Sequence, residues 1–272
     1  MIQVERVEAV QFNQVMTAGR TTPLLLTCER TDGSMMDAVT KFATGHECTH
    51  SSLCAELIAA QLAADLGLPT PTPVIVTWEQ MFADGIVDAQ ARGIVARSSL
   101  PAFGSTLVTG GFGTWAADRK LIGEAGRQAA LAVFFFDGII GNSDRGGLKP
   151  NILVRGDSFR LIDHEMAFRD YMLIARPAPP WKLGGFNGLV TPGAHIFAAQ
   201  SSKAAKELDL APIRAAWAAL SDRQIDGYAA SLPPEWTVDR SLTAFAMARI
   251  KECRDRIDDC VTECRRALDD RT

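Results

Sequence analysis

Alternating apolar and polar residues along the first third of the chain predict short β-strands. A strand precedes a polar turn at residues 17–22, and β-type runs follow at residues 24–27, 36–42 and 72–78. Asp32 and Gly33 are a turn signal that joins two of these strands as a hairpin. A further strand is expected around residues 93–97. This part of the chain therefore predicts a small sheet.

One helix interrupts the predicted strands. Ser51 or Ser52 can cap its first turn, and Gly67 and Pro69 follow its end near residue 66. Its apolar positions recur at helical spacing, which predicts an inner stripe formed by Leu53, Leu57, Ala60 and Ala64.

Helical periodicity dominates from about residue 117 onwards. Helices are predicted at residues 121–140, 195–207, 211–219, 223–231 and 238–268, and an irregular segment rich in proline and glycine covers residues 169–193. Ser221 and Gln224 form a capping-box pattern. We therefore predict an α+β chain with a β-rich part at residues 1–100, a larger helical part at residues 101–272, and a boundary near residues 98–110.

Composition excludes several classes of protein. The chain has 272 residues and a net charge of −4, so no basic surface for nucleic acid is expected. The first six residues lack the apolar core of a signal peptide, and the longest apolar run, residues 129–136, is too short to span a bilayer. We expect a soluble, cytoplasmic protein without a membrane partner.

The six cysteines do not require a disulfide framework in a chain of this length. Cys253, Cys260 and Cys264 recur at helical spacing and predict a buried helix face. His46, Cys48, His50 and Cys54 match no established zinc spacing and lack a second ligand pair, so a polar loop leading into a helix is the preferred interpretation.

Two acids and an asparagine have the spacing that phosphoryl transfer requires. Asp144 lies in the run Gly141-Asn142-Ser143-Asp144-Arg145, Asn151 ends the same loop, and Asp163 follows Leu161-Ile162. The turn pair Gly156-Asp157 predicts a hairpin that brings Asn151 and Asp163 to one edge. Such a site needs a carboxylate to orient a hydroxyl and oxygen ligands for Mg²⁺.

The same run, with Asp137-Gly138 before it and Leu161-Ile162-Asp163-His164 after it, resembles the HipA-like kinase family, in particular its short single-domain branch. The segments Ala55-Glu56-Leu57-Ile58-Ala59, Leu66-Gly67-Leu68-Pro69-Thr70-Pro71 and Phe103-Gly104-Ser105 also resemble that branch. The resemblance covers roughly residues 20–195. It implies a bilobal protein-kinase-like fold with a β-rich N-lobe, a hinge and a helical C-lobe.

The resemblance also implies roles for individual residues. Lys41 would hold the α- and β-phosphates of ATP, and Glu56 would pair with it from the helix. Asp144 would orient the acceptor hydroxyl, while Asn151 and Asp163 would bind Mg²⁺. The remaining expected phosphate-side residues are Gly19, Arg20, Thr21, Thr22 and Lys149. Asp137 and Asn142 would brace the loop, and Arg145 would pair with a nearby carboxylate or a phosphate.

The chain departs from protein kinases at three points. It has no G-x-G-x-x-G loop. The interval from Asp144 to Asn151 is two residues longer than in the kinase H-R-D-x-x-x-x-N motif, and Lys149 stands where the short branch often has an asparagine. Asp163-His164-Glu165 replaces D-F-G, so the aromatic residue of that motif is absent.

Taken together, these features predict an ATP- and Mg²⁺-dependent kinase that phosphorylates a hydroxyl, with serine or threonine of a protein as the preferred acceptor. Two alternatives stay open: a kinase for a lipid headgroup or another small molecule on the same fold, and a nucleotide-binding pseudokinase that acts through a partner. A regulatory protein partner is compatible with each. The acceptor and the oligomeric state do not follow from the sequence.

Overall fold

A computed structural model describes residues 4–16, 21–45, 48–116, 123–147, 149–198, 209–237 and 240–270. The strands are β1 (Glu5–Val15), β2 (Leu24–Glu29), β3 (Met35–Lys41), β4 (Pro73–Thr77), β5 (Ala102–Thr106), β6 (Gly113–Thr114), β7 (Ile152–Arg155) and β8 (Ser158–Leu161). The α-helices are α1 (His50–Asp65), α2 (Gln80–Gly85), α3 (Ala89–Ala96), α4 (Glu124–Ile140), α5 (Asn187–Val190), α6 (Ala211–Ala218), α7 (Asp222–Ala230), α8 (Ser241–Asp255) and α9 (Ile257–Asp269). Two 3₁₀ turns, Arg169–Met172 and Pro234–Trp236, complete these elements. The mixed α+β class predicted from the pattern is confirmed.

Five strands close into a barrel in the order β1-β2-β3-β5-β4. The pair β1–β4 is parallel, and the other four pairs are antiparallel. β5 completes the barrel and follows the boundary predicted at residue 100. Gly104 is required there, because a Cβ atom would lie 2.6 Å from Val76 and 2.8 Å from Val74 on the neighbouring strand.

The chain has two apolar cores. The smaller fills the barrel, with Val7, Leu24, Leu26, Val74 and Val76 among its members, and α3 covers it through Ile94 and Val95. The larger joins α1, α4 and the C-terminal helices to the hairpin β7–β8. Helix α1 belongs to this larger core, which also includes Ile75 of β4 and Phe103 of β5, so the helix lies between the barrel and the helical part of the molecule.

One element prediction is wrong, and one strand was not predicted. Residues 93–97 were expected as a strand but belong mainly to α3, whose first turn is capped by Asp88 through a bond from Ala91 N. Ala91, Ile94 and Val95 bury one helical face, and this burial overrides the strand preference of the β-branched pair. The predicted boundary segment 98–110 contains β5, whose first three residues are all buried and therefore do not alternate.

Helix boundaries also differ from the predicted ones. Thr49, rather than Ser51 or Ser52, caps α1 by accepting from Ser52 N. The predicted helix at residues 238–268 is two helices that meet at Arg256. Buried apolar positions keep helical spacing across this break, at Ile250, Cys253, Ile257 and Cys260, so periodicity could not reveal it.

Other predictions are confirmed. Helices α6 and α7 lie where they were expected, and Ser221 and Gln224 make both bonds of the capping box. Cys253, Cys260 and Cys264 are buried and free. Most of the expected helix at residues 195–207 lies outside the described residues. Within the described part of the chain, no helix is both long and apolar enough to cross a membrane.

Candidate active site

Lys41 stands at the end of β3, where the barrel meets α1. Its ammonium lies 2.6 Å from Asp163 Oδ1, 2.9 Å from Glu56 Oε2 and 3.2 Å from Glu165 Oε2. Residues from β3, α1 and the end of the β7–β8 hairpin thus converge on one atom. The Lys41 side chain is only 8% exposed, so its charge is held by these carboxylates and little by water.

Burial and pairing shift the pKa values of this cluster. Burial alone would lower the pKa of Lys41, but the three carboxylates outweigh it and raise that pKa well above its usual value. Burial raises the pKa of Glu56 and of Glu165 despite the opposing charge of Lys41. For Asp163, burial is outweighed by the Lys41 charge and hydrogen bond, so its pKa is lowered. Asp163 is therefore the most firmly ionised of the three acids.

These three acids could also hold a cation. One oxygen from each of Glu56, Asp163 and Glu165 lies within 4.8 Å of the others. When all three are ionised, a single lysine leaves two negative charges unbalanced. Carboxylate oxygens are the ligands that Mg²⁺ prefers, so the donor set suits a divalent cation.

Asp144 and Asn151 meet on the adjoining loop. Asn151 Nδ2 donates to the backbone oxygen of Asp144 at 3.0 Å and to its carboxylate at 3.3 Å, while Asn142 Oδ1 accepts from Asp144 N at 3.2 Å. Asn151 and Asp163 have φ angles of 48° and 61°, a left-handed conformation in which asparagine and aspartate are enriched. Asn151 O also accepts from Ile162 N, so the two ends of the hairpin lie side by side.

A buried arginine connects these elements from behind. Arg145 donates through Nε to Asp137 Oδ2 at 2.6 Å and through Nη1 to Asn151 O at 2.7 Å. Its Nη1 also reaches Ile162 O at 3.4 Å. One guanidinium therefore ties α4 to the residue before Asp163 and to Asn151 itself. Only an arginine offers enough donors in a fixed plane for this arrangement.

Two histidines complete the buried network. Phe197 N donates to His195 Nδ1, so His195 Nε2 carries the proton and donates to Asp137 Oδ2 at 3.0 Å. Arg145 donates to His164 Nδ1, and burial together with the Arg145 charge lowers the pKa of His164 to about 3. Burial also lowers the pKa of His195, so both rings are neutral near pH 7. Burial would raise the pKa of Asp137, but Arg145 and His195 hold it well below its usual value.

The phosphate-side predictions are only partly described by the structure. Gly19 and Arg20 lie outside the described residues. Leu24 pairs with Thr40, so Thr21 and Thr22 lie at the barrel end that carries Lys41. Lys149 is exposed and forms an isolated bridge with Gly146. Among the described residues, no hydrogen bond joins Thr21, Thr22 or Lys149 to the acidic cluster.

Comparison with known proteins gives the family. The sequence model of the HipA-like kinases matches residues 9–177, which is more than half of the chain. The chain belongs to the HipA-like kinase family. The match contains Lys41, Glu56 and every residue of the Asp144 loop and the hairpin that follows it. No curated protein sequence matches the chain.

A solved structure extends the similarity beyond the matched segment of this HipA-like kinase. The crystal structure of the proinflammatory kinase CtkA of Helicobacter pylori aligns over 93% of this chain and 95% of that chain, with a TM-score of 0.54 and 10% sequence identity. At this identity the similarity shows a shared, kinase-like fold. The C-terminal helices, which lie beyond residue 177, are therefore largely included in the structural match.

Sequence reasoning missed three contributors to the site of this HipA-like kinase. Glu165 was noted only as a replacement within D-F-G, yet its carboxylate lies 3.2 Å from Lys41 Nζ. Asp163 and Glu165 follow the end of β8, and Asp163 has a φ of 61°, so no regular strand or helix spacing marked Glu165 as a partner of the site. His164 N donates to Glu56 Oε1 at 2.9 Å. His195 is 58 residues from Asp137 along the chain, and no local pattern indicated that the two would bond.

Proposed function

We propose that this HipA-like kinase is a two-lobed, ATP- and Mg²⁺-dependent enzyme that transfers the γ-phosphoryl group to a serine or threonine hydroxyl of a protein. The observation that carries the proposal is the convergence of Glu56, Asp163 and Glu165 on Lys41, beside a loop on which Asp144 and Asn151 are bonded. Membership of a kinase family supports the reaction class.

Lys41 supplies the positive charge for the nucleotide. Its three N–H donors allow it to keep Glu56 and turn another donor towards a phosphate oxygen. The bond from His164 N to Glu56 Oε1 fixes that carboxylate, which in turn fixes the ammonium. Lys41 therefore acts as an oriented donor, which lowers the reorganisation needed when a phosphate arrives.

Asp163 and Asn151 are the proposed ligands of Mg²⁺, and Glu165 adds a carboxylate nearby. Bound there, Mg²⁺ would neutralise charge on the transferring phosphates. The lowered pKa of Asp163 keeps this ligand ionised at neutral pH. Asn151, whose amide donates to Asp144, presents its remaining oxygen as a neutral ligand.

Asp144 is the proposed group that orients the acceptor hydroxyl. Its carboxylate accepts from Asn151, and its backbone N–H is held by Asn142. The carboxylate keeps further lone pairs free to accept the hydroxyl proton. Lys149 and the turn containing Gly19, Arg20, Thr21 and Thr22 are the proposed phosphate contacts outside the cluster.

The test measures phosphate transfer from γ-labelled ATP with Mg²⁺ to a mixture of dephosphorylated proteins, alongside nucleotide binding by calorimetry. Asp144→Asn and Asp163→Asn are compared with wild type. Asp84→Asn is a matched control, because Asp84 is exposed on α2 and bonds only Gln80 of the same helix among the described residues. We expect label in wild type and the control and none in the two site variants.

Other outcomes separate the alternatives. Label in lipids or small molecules instead of proteins would show that the acceptor is not a protein. ATP binding without transfer to any acceptor would favour a pseudokinase. A folded wild-type protein that binds no nucleotide would contradict the proposed function.

A further inference from the structure

A pocket of about 430 Å³ opens beside the Asp144 loop. Its walls come from the C-terminal end of α4 and the start of the loop, at Gly138, Gly141 and Ser143, and from the irregular segment that follows the hairpin. Ser143 is the residue before Asp144, so the Cα atoms of the pocket wall and of the proposed hydroxyl-orienting residue are about 3.8 Å apart. Asp144 does not itself line the pocket, so the pocket adjoins the proposed acceptor position through Ser143.

The base of this pocket holds a polar atom without a partner. Asp170 is 7% exposed and pairs through Oδ2 with Arg249, while its Oδ1 is buried and has no hydrogen-bond partner. A Cβ atom on Gly141 would lie 3.5 Å from this Oδ1, so the oxygen faces the glycine wall of the pocket. A buried acceptor left unsatisfied is costly, and a ligand that brings an N–H or O–H group would relieve that cost.

The rim of the pocket is apolar and exposed. Met172, Leu173 and Ile174 are 66%, 53% and 106% exposed, and the first two line the pocket. Three consecutive exposed apolar residues are unusual on a surface that meets only water. Pro177, Ala178 and Pro180 continue the apolar wall inwards.

We propose that this pocket binds the protein acceptor: an apolar side chain close to the phosphorylated serine or threonine enters it, and an N–H or O–H group of the same segment donates to Asp170 Oδ1. The inference rests on the proposed function and specifies its substrate class.

Charge and chemistry favour a polypeptide segment without a basic side chain as the occupant. Arg169 and Arg249 both line the pocket, and Asp170 is paired with Arg249, so a cationic side chain would meet no unpaired acid there and one further arginine. An extended peptide can donate to Asp170 Oδ1 and also cover the apolar rim, because it carries backbone N–H donors and apolar side chains together. A sugar or a nucleotide would leave Met172 and Leu173 facing polar groups.

The experiment selects peptides by binding, so it does not depend on turnover. The immobilised full-length chain is incubated with a library of short peptides that have a fixed central serine and degenerate flanks. Leu173→Asp places a charge on the rim of the pocket. Leu183→Asp is the matched control: Leu183 is also an exposed leucine, at 77%, in the same irregular segment, and it does not line the pocket.

We expect wild type to enrich peptides with leucine, isoleucine, methionine or an aromatic residue within two positions of the serine. Leu173→Asp should reduce this enrichment at least about tenfold, as expected when a buried apolar contact is replaced by a charge. Leu183→Asp should leave it unchanged. Absence of apolar preference in wild type, or equal loss in both variants, would overturn the inference.

Nucleotide binding, measured on the same three proteins, separates this inference from the kinase proposal. Equal ATP affinity in the three proteins, with the preference for apolar peptides lost only in Leu173→Asp, supports both the kinase proposal and the pocket inference. If the wild-type chain transfers phosphate to proteins but shows no preference for apolar peptides, the kinase proposal stands and the pocket inference is wrong. A chain that selects the peptides but binds no nucleotide contradicts the kinase, and with it the role of the peptide as an acceptor.

Discussion

The buried guanidinium of Arg145 provides the sharpest test of how the loop and hairpin are held. Arg145→Met removes the charge that faces Asp137, whose side chain is completely buried, and leaves that carboxylate with His195 and Asn142 as neutral donors. Breaking a buried ion pair from one side costs about 3–5 kcal/mol. Asn151 O keeps its bond from Ile162 N, so the uncompensated charge dominates the cost.

Equilibrium unfolding in urea measures this loss. The control is Arg214→Met, because Arg214 and its partner Asp258 have side chains 53% and 70% exposed; that variant should unfold like wild type. In the double variant Asp137→Asn with Arg145→Met, neither charge of this ion pair is left, so the loss of stability should be smaller than the sum of the two single losses. Arg145→Lys should be more stable than Arg145→Met, because the lysine restores a positive charge beside Asp137. It should not restore phosphate transfer, because one ammonium cannot reach Asp137 and also the backbone oxygens of Asn151 and Ile162. Equal unfolding midpoints for Arg145→Met and Arg214→Met would refute the reasoning.

Three further predictions concern pH, the loop and a helix cap. The pKa of Asp137 is lowered in the folded state, so its contribution to stability is present above the pKa of the unfolded state, about 4, and is lost as pH falls below that value. The difference in urea midpoint between wild type and Arg145→Met should therefore become smaller from pH 5 to pH 3, and a constant difference would contradict this prediction. A Cβ on Gly146 would lie 2.9 Å from Gly193 O, whereas one on Gly147 would meet nothing within 4 Å. Gly146→Ala should therefore displace the loop and lower the rate of phosphate transfer about ten- to a hundredfold, and Gly147→Ala should leave the rate unchanged; equal rates in the two variants would argue against a fixed loop. Ser221→Ala removes the capping box of α7 and should cost about 1 kcal/mol in urea unfolding, with no loss counting against the capping role.

Local signals explain why much of the site could be predicted from the sequence. The turn pair Gly156-Asp157 fixes the β7–β8 hairpin, and a hairpin brings its two ends together whatever surrounds it. Ile162 N donates to Asn151 O, so Asn151 and Asp163 lie at the same end of the hairpin, as the spacing indicated. The interval between Asp144 and Asn151 is likewise contained in one loop.

Contacts between distant segments account for most of what was missed. Glu165 and His195 acquire their partners only when the barrel, α1 and the helical part assemble, so no local pattern marks them. The error at residues 93–97 has a related cause: Ile94 and Val95 favour a strand locally, but the barrel core buries them from a helix. Tertiary burial is not contained in a short window of sequence.

The burial of α1 has a consequence for control of the enzyme. Every residue from Ser52 to Ala63 is buried, including Leu53, Leu57, Ile58 and Leu62. In many protein kinases the corresponding helix moves to break or restore its ion pair. Here an outward swing would expose these four side chains at about 6–12 kcal/mol, which rivals the whole folding free energy of a typical domain. We therefore expect the Lys41–Glu56 pair to persist in every state of the protein, and we expect any on–off control to act on other segments, such as those that admit the nucleotide or the acceptor.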